Sequence, residues 1–434
     1  MLKAYKQLFD ELNHNNINYI IYKGLNHIDK DLEGERGDID LLIDDLQDFE
    51  KIIKNERWCK VLEKNYPYYY FKLDKEKNLM LDVENRIRLG DKPYRPYYFN
   101  IDLNKFKTVD YKGIQVLSYE DYIPLLFLMR IASSSNEKVN LVELQELIKT
   151  KKTNGYMQQI AEKLTESSWE EIERDVLEVD NLQDLKEKYK KSILQNSQVD
   201  NKFLFLQRFK FLIGKLKSIK IKIFKIPPYT VRKKGYLVAF MGNDGAGKSS
   251  SIDFIKEMDY FKYTGIKRIY FGNNEYVIPF LNYLMRKSYK NRLLVLFFGL
   301  LGYFDKQIRS LIAQYYIKIG CIVLADRYFY DEIISREYPK NTIKKGKLKL
   351  LFGWLIKPRM LIKPKITIFL DVDPEVAYSR KQDYEYELVV ENIQKYRIFL
   401  SKIDEVIKID ANQEQSKVLN DVIMSIYEQD VKFN

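Results

Sequence analysis

Gly242-Asn243-Asp244-Gly245-Ala246-Gly247-Lys248-Ser249 fits the pattern G-x-x-x-x-G-K-[ST], and its flanks are those the pattern requires. An apolar run, Tyr236 to Met241, leads in as a strand, and Ile252, Ile255 and Met258 lead out at helical spacing. Glycines let the backbone curl so that successive N–H groups point at phosphate oxygens, while the following helix adds the positive end of its dipole. In such a loop Lys248 reaches the β and γ phosphates of a nucleoside triphosphate and Ser249 ligates Mg²⁺. ATP and Mg²⁺ are the expected cofactors.

Working outward, strands are expected at Lys267 to Phe271, Cys321 to Ala325, Ile366 to Leu370 and Val406 to Ile409, with helical stretches between them. A closing helix places Val418, Leu419, Val422, Ile423 and Ile426 on one face. Alternation of strand and helix implies a doubly wound α/β unit with a parallel sheet covered on both sides.

The loop, extended to Ser250, resembles the G-x-D-G-x-G-K-S-[ST] loop of the thymidylate kinase family, and three further features keep that family's order. Asp326-Arg327-Tyr328 looks like its D-R-Y/H motif. Pro364-Lys365-Ile366-Thr367-Ile368-Phe369-Leu370-Asp371-Val372 resembles its P-x-x-T-x-x-L-D-V strand, and Pro374-Glu375 and Arg380 follow. The resemblance implies a P-loop kinase in which Gly242 to Ser250 cradle ATP. It places Asp244 toward the acceptor's sugar, Asp326 near Mg²⁺, Arg327 on the acceptor phosphate and Arg380 at the head of the lid. Each residue also has a plainer use: Asp244 as a turn former, Arg327 as a salt-bridge partner, Arg380 as a solvated helix charge. The likeness covers about 200 residues. It departs after the second strand, where Gly272-Asn273-Asn274-Glu275-Tyr276 stands in place of an acidic-proline-glycine segment, so a nucleoside monophosphate, a sugar or a related small anion stays open as acceptor.

A chain of 434 residues exceeds what one core usually organises. Its net charge of +12 admits anionic partners, and the excess is concentrated between Lys202 and Lys234, a stretch without a single Asp or Glu. Aromatic and aliphatic residues interleave those charges, a character suited to anionic lipid headgroups or to a linker packed between domains. The two cysteines, Cys59 and Cys321, argue for a reducing compartment. The start of the chain has no continuous apolar core, and the longest apolar run, Leu293 to Phe304, is too short to cross a bilayer. A cytoplasmic protein is expected, and peripheral contact with the inner membrane face through 202–234 stays open beside the reading of that stretch as a linker.

Near the N-terminus, Tyr19 to Leu25, Gly37-Asp38-Ile39-Asp40-Leu41-Leu42-Ile43 and Leu79-Met80-Leu81-Asp82-Val83 form a second constellation. Carboxylates at i and i+2 of a strand share a face, so Asp38 and Asp40 could share divalent cations, with Asp82 on a neighbouring strand as third ligand. The set resembles the DNA polymerase beta type of nucleotidyltransferase, in a branch with Lys23-Gly24 where better-known members have Gly-Ser. The resemblance implies an α+β fold and transfer of a nucleoside monophosphate with loss of pyrophosphate. Helical patterns follow at Tyr122 to Ile131, Val139 to Lys149 and Ile172 to Tyr189.

The expected organisation is a nucleotidyltransferase-like domain at 1–118, a helical extension at 119–200, a basic amphipathic linker at 201–234 and a kinase-like domain at 235–434. That order resembles bacterial fusions associated with surface-polysaccharide biosynthesis. Two other classes stay open: an ATP-binding scaffold or switch at a membrane surface, and a nucleic-acid-directed nucleotidyltransferase. Nucleic acid is not the expected partner, because Asp38 and Asp40 sit among Glu33, Glu35, Asp44 and Asp45. The oligomeric state is open, and thymidylate kinases tend to be dimers.

Overall fold

The computed structural model describes residues 1–35, 37–62, 68–74, 76–91, 95–134, 138–209, 229, 231–272, 277, 292–337 and 362–433. Contacts divide the chain into two units, Met1–Phe224 and Lys225–Asn434.

Ten strands of the first unit are described: β1 (Tyr19–Ile21), β2 (Ile39–Ile43), β3 (Cys59–Lys60), β4 (Tyr68–Asp74), β5 (Lys77–Glu84), β6 (Ile87–Leu89), β7 (Tyr97–Phe99), β8 (Thr108–Tyr111), β9 (Ile114–Leu117) and β10 (Gln198–Val199). Seven form a mixed sheet in the order β3-β4-β5-β2-β1-β9-β8, and β10-β7-β6 form a small antiparallel one. β2 runs parallel to β5 and sets Asp40 level with Asp82.

Helices from Tyr119 to Asn196 share this unit's core, since one apolar cluster runs from Ala4 to Ile193. The helix Tyr119–Ala132 is buried nearly all round, as expected of an element packed between others. Each fully buried Leu or Ile in such a core contributes about 1.5–3 kcal/mol relative to exposure. The stretch Ile172 to Tyr189, read as one helical run, is two helices, Trp169–Glu178 and Leu182–Asn196. Asn181 breaks it because its side chain accepts from Gln183 N and caps the second helix.

The second unit is a five-stranded parallel sheet, β11 (Leu237–Met241), β12 (Ile266–Tyr270), β13 (Ile322–Asp326), β14 (Ile366–Asp371) and β15 (Val406–Asp410), ordered β12-β13-β11-β14-β15. The three central strands are buried at every residue, whereas the edge strands β12 and β15 are mostly half-buried. That contrast is why the central strands read as unbroken apolar runs. Leu237, Ala239 and Met241 join a cluster with Tyr316, Ile317 and Tyr396, while Val238 and Phe240 are buried on the other face. The central position of β11 puts the loop after it, Gly242 onward, at the carboxyl ends of the strands, where such sheets hold ligands.

Among the described residues no helix is long and apolar enough to cross a membrane. The basic segment lies largely outside the described residues, which cover its helix Asn201–Arg208 and its end at Val231–Lys234. Asn273 to Tyr276 lie outside them as well. At the far end of that segment Arg232 is fully buried. Its guanidinium donates to Asp430 (2.9 Å), Thr264 O (2.7 Å) and Gly320 O (3.1 Å), tying the entry of the sheet to the closing helix Gln415–Phe433.

Candidate active site

The loop Gly242 to Gly247 bends off β11 and enters the helix Lys248–Glu257 through Gly247, which adopts a left-handed conformation. Two glycines are demanded by close approach. A Cβ on Gly242 would meet Leu370 O at 2.7 Å, and one on Gly245 would meet Ala377 O at 2.6 Å, both at positive φ. The loop therefore nests against β14 and the helix Pro374–Arg380. It borders a cavity of about 580 Å³ whose walls include Lys248, Ser249, Arg268, Asp326, Arg327 and Arg380.

Lys248 is buried and donates to Gly242 O (2.9 Å) and Asn243 O (2.7 Å), with Asp244 at 3.9 Å. Burial, then the nearby Arg327 charge, pull its ammonium down to about 8. Ser249 Oγ donates to Asp326 Oδ2 (3.2 Å), so a hydroxyl and a carboxylate from the two central strands' ends share one spot. Mg²⁺ is commonly bound by one or two such oxygens together with nucleotide phosphates, and this donor set fits it.

Asp326 closes β13, where a position just past the strand was expected. Arg327 follows with φ +62°, a left-handed conformation that costs a non-glycine residue about 1–3 kcal/mol. Its guanidinium is fixed between two carboxylates, donating to Asp244 of the loop and to Asp331 (3.1 Å). Tyr396 in turn donates to Asp331 (2.8 Å). Arg380 donates to Ala411 O (3.1 Å), at the rim of the cavity by the loop that follows β15. Asp244, Gly245, Ala246, Gly247, Lys248, Ser249 and Ser250, together with Asp326, Arg327 and Arg380, thus line one cleft, and Gly242 and Asn243 lead into it while accepting from Lys248.

Sequence reasoning missed Arg268, Asp331 and Tyr396. Arg268 in β12 donates to Asp326 Oδ2 (2.5 Å), the same oxygen that Ser249 contacts, and lies 3.6 Å from Asp253. A lone arginine in a short strand was its available signal. Asp331 stands four residues after Arg327, an i, i+4 spacing that was its available signal, whereas Tyr396 carried none, since it meets Asp331 only through folding.

In the first unit the three-carboxylate set does not assemble as expected. Among the described residues no group of three His, Cys, Asp or Glu stands ready to hold a metal ion. Asp38 directly precedes β2, which begins at Ile39, and its charge reaches Asp82 and helps to raise that carboxyl. Asp40 instead accepts from Lys23 Nζ (2.6 Å). Asp40 and Asp82 remain register partners, and Asp82 is buried. Burial, then the Asp40 charge, push the Asp82 carboxyl up to about 8. Two residues along β5, buried Glu84 pairs with Arg95 (3.1 Å) and lies 3.6 Å from Lys23. Glu84 and Arg95 were also missed, although Glu84 shares Asp82's face of the strand by the i, i+2 rule.

A family model described as thymidylate kinase matches residues 240–426. The thymidylate kinase of Plasmodium falciparum is 30% identical over 206 residues, spanning 45% of this chain and 91% of that protein. A probable thymidylate kinase of Staphylothermus marinus is 26% identical over 208 residues, spanning 43% and 92%. The solved thymidylate kinase of Candida albicans aligns at 19% identity over 46% of this chain and 94% of its own, with a TM-score of 0.34. Through residues 240–426, which form a thymidylate kinase-like P-loop kinase domain, the chain belongs to the thymidylate kinase family.

Proposed function

We propose that the second unit transfers the γ-phosphoryl group of ATP to the phosphate of a nucleoside monophosphate, yielding ADP and a nucleoside diphosphate. An acceptor phosphate oxygen attacks the γ phosphorus as its bond to the β-bridging oxygen breaks. That oxygen is already ionised at neutral pH, so no side chain has to take a proton. The work left is positioning and neutralisation. Lys248 and the loop N–H groups hold the ATP phosphates, Arg327 grips the acceptor phosphate, Asp244 faces the acceptor sugar, and Arg380 supplies charge from the lid. Ser249 and Asp326 hold Mg²⁺, which when bound neutralises charge on the β and γ phosphates.

One observation carries this reading: Lys248 and Arg327 both converge on Asp244, so the triphosphate loop and the arginine after β13 face a single cleft. A sugar acceptor would give Arg327 no phosphate to hold. Incubation with γ-labelled ATP and a panel of nucleoside monophosphates and sugars tests it, with Arg327→Ala as control. Label appearing only in free phosphate would reduce the unit to a nucleotide-dependent switch.

We also infer a division into 1–118, 119–200, 201–234 and 235–434, the first part being nucleotidyltransferase-like. The mixed sheet and the adjacency of Asp40 and Asp82 support that reading. A divalent cation suits the pair, because Asp82 Oδ1 is buried and has no hydrogen-bond partner.

A further inference from the structure

We propose that Lys23 is a built-in cation that rests on Asp40 until a divalent metal ion enters between Asp40 and Asp82, and then passes to Glu84. The inference builds on the reading of Asp40 and Asp82 as a cation-binding pair and adds the device that opens it.

Three carboxylates, Asp40, Asp82 and Glu84, face two cations, Lys23 and Arg95. Hydrogen bonding is incomplete at two buried points. Asp82 Oδ1 and Glu84 Oε2 have no partner, and Asp82 and Glu84 are only 2% and 1% exposed. Buried acceptors left this way cost free energy until a donor or cation reaches them. The two orphans call for different occupants. Asp82 lies level with Asp40 on adjacent parallel strands, which run about 4.8 Å apart, so an ion taking oxygens at about 2.1 Å can sit between their side chains.

Such an ion competes with the ammonium held 2.6 Å from Asp40 Oδ1, because the two positive charges repel at close range. Glu84 is the ready alternative. Its Oε1 stands 3.6 Å from Lys23 Nζ, and Arg95 engages that same oxygen, leaving Oε2 open. A lysine is suited to the move, being a compact charge with three donors on a rotatable stem. The exchange satisfies both orphans at once: the metal takes Asp82, and the displaced ammonium takes Glu84. It also explains why three ligands are not gathered beforehand, since the resting site is closed by its own counter-ion.

The test is Mn²⁺ binding to the full chain without ATP, followed by electron paramagnetic resonance of free Mn²⁺, with Asp82→Asn identifying the site. Lys23→Met is expected to tighten binding about tenfold and Glu84→Gln to weaken it about tenfold, the scale seen when residues around metal ligands are changed. The decisive measurement is Glu84→Gln in the Lys23→Met background, where the effect should shrink to under about twofold because nothing is left to relocate. An unchanged tenfold effect there would mean that the charges act independently, which overturns the exchange and leaves the cation pair standing. No Asp82-dependent Mn²⁺ binding in the wild type would remove the pair and the exchange together. Should Lys23→Met not fold, the Lys23 side-chain NMR signal, assigned with Lys23→Arg, serves instead. It should shift on Mg²⁺ addition in the wild type and stay still in Glu84→Gln, and equal behaviour in both would defeat the proposal.

Discussion

Arg327 hydrogen-bonds Asp244 across 83 residues of chain, joining the segment after β13 to the phosphate loop. An acceptor phosphate arriving at Arg327 must compete with that carboxylate. Arg327→Ala is therefore expected to lower kcat/KM for the acceptor by about 10²–10³, the scale for losing one preorganised charge donor. ATP affinity, read with a fluorescent analogue, should change by less than about threefold, because Arg327 sits on the acceptor side. A comparable loss of ATP binding would reassign the residue to the triphosphate.

Arg268 engages Asp326 Oδ2, the same oxygen that Ser249 contacts and that Mg²⁺ would need if Ser249 and Asp326 held it. Removing the guanidinium frees that ligand. Arg268→Gln should lower the Mg²⁺ concentration giving half-maximal phosphoryl transfer by about 3–10-fold. Titration of Mg²⁺ at saturating ATP reads this directly, and a raised requirement would show that Arg268 assists the metal.

The ammonium of Lys248, held down at about 8 by burial, carries a definite pH signature. A lysine with a depressed folded value binds fewer protons than the unfolded chain between about 8 and the ordinary lysine value of 10.5, so stability rises with pH across that window. Triphosphate charge restores the protonated form. ATP binding near pH 8.5 should accordingly take up protons, and calorimetry in two buffers of different ionisation enthalpy measures the number. Lys248→Met should abolish the buffer difference.

The buried pair Arg232 and Asp430 predicts a stability effect of a different size. Arg232→Ala strands a carboxylate that is fully buried and is expected to cost about 3–5 kcal/mol. Thermal unfolding monitored in the second unit tests this, and a loss under about 1 kcal/mol would mean that Tyr236 and Tyr260, which also donate to Asp430, suffice to hold it.

The phosphate loop was legible because its chemistry is local: glycines, a lysine and a hydroxyl stand within eight positions, between an apolar strand and a helix. Arg327 could be located because it follows an apolar run, Cys321 to Ala325, that is closed by Asp326. Arg268 could not, since its reach to Asp326 follows from the register of β12 against β13, which no local pattern states. Tyr396 is hidden for the same reason, being 65 residues from its partner Asp331. In the first unit alternation suggested Asp38 beside Asp40, and Asp38 stands immediately before the strand that carries Asp40, its charge felt at Asp82. The neutralising role of Lys23 was equally invisible, because it depends on which side chain reaches Asp40 first.

Arg232 works like the clamp that relieves strain where a cable enters a plug. Tension entering through the chain before it would fall on Asp430 and the carbonyls of Thr264 and Gly320. β11 and the loop it carries follow that anchor, so the phosphate-binding end of the sheet would be insulated from a pull at its entry.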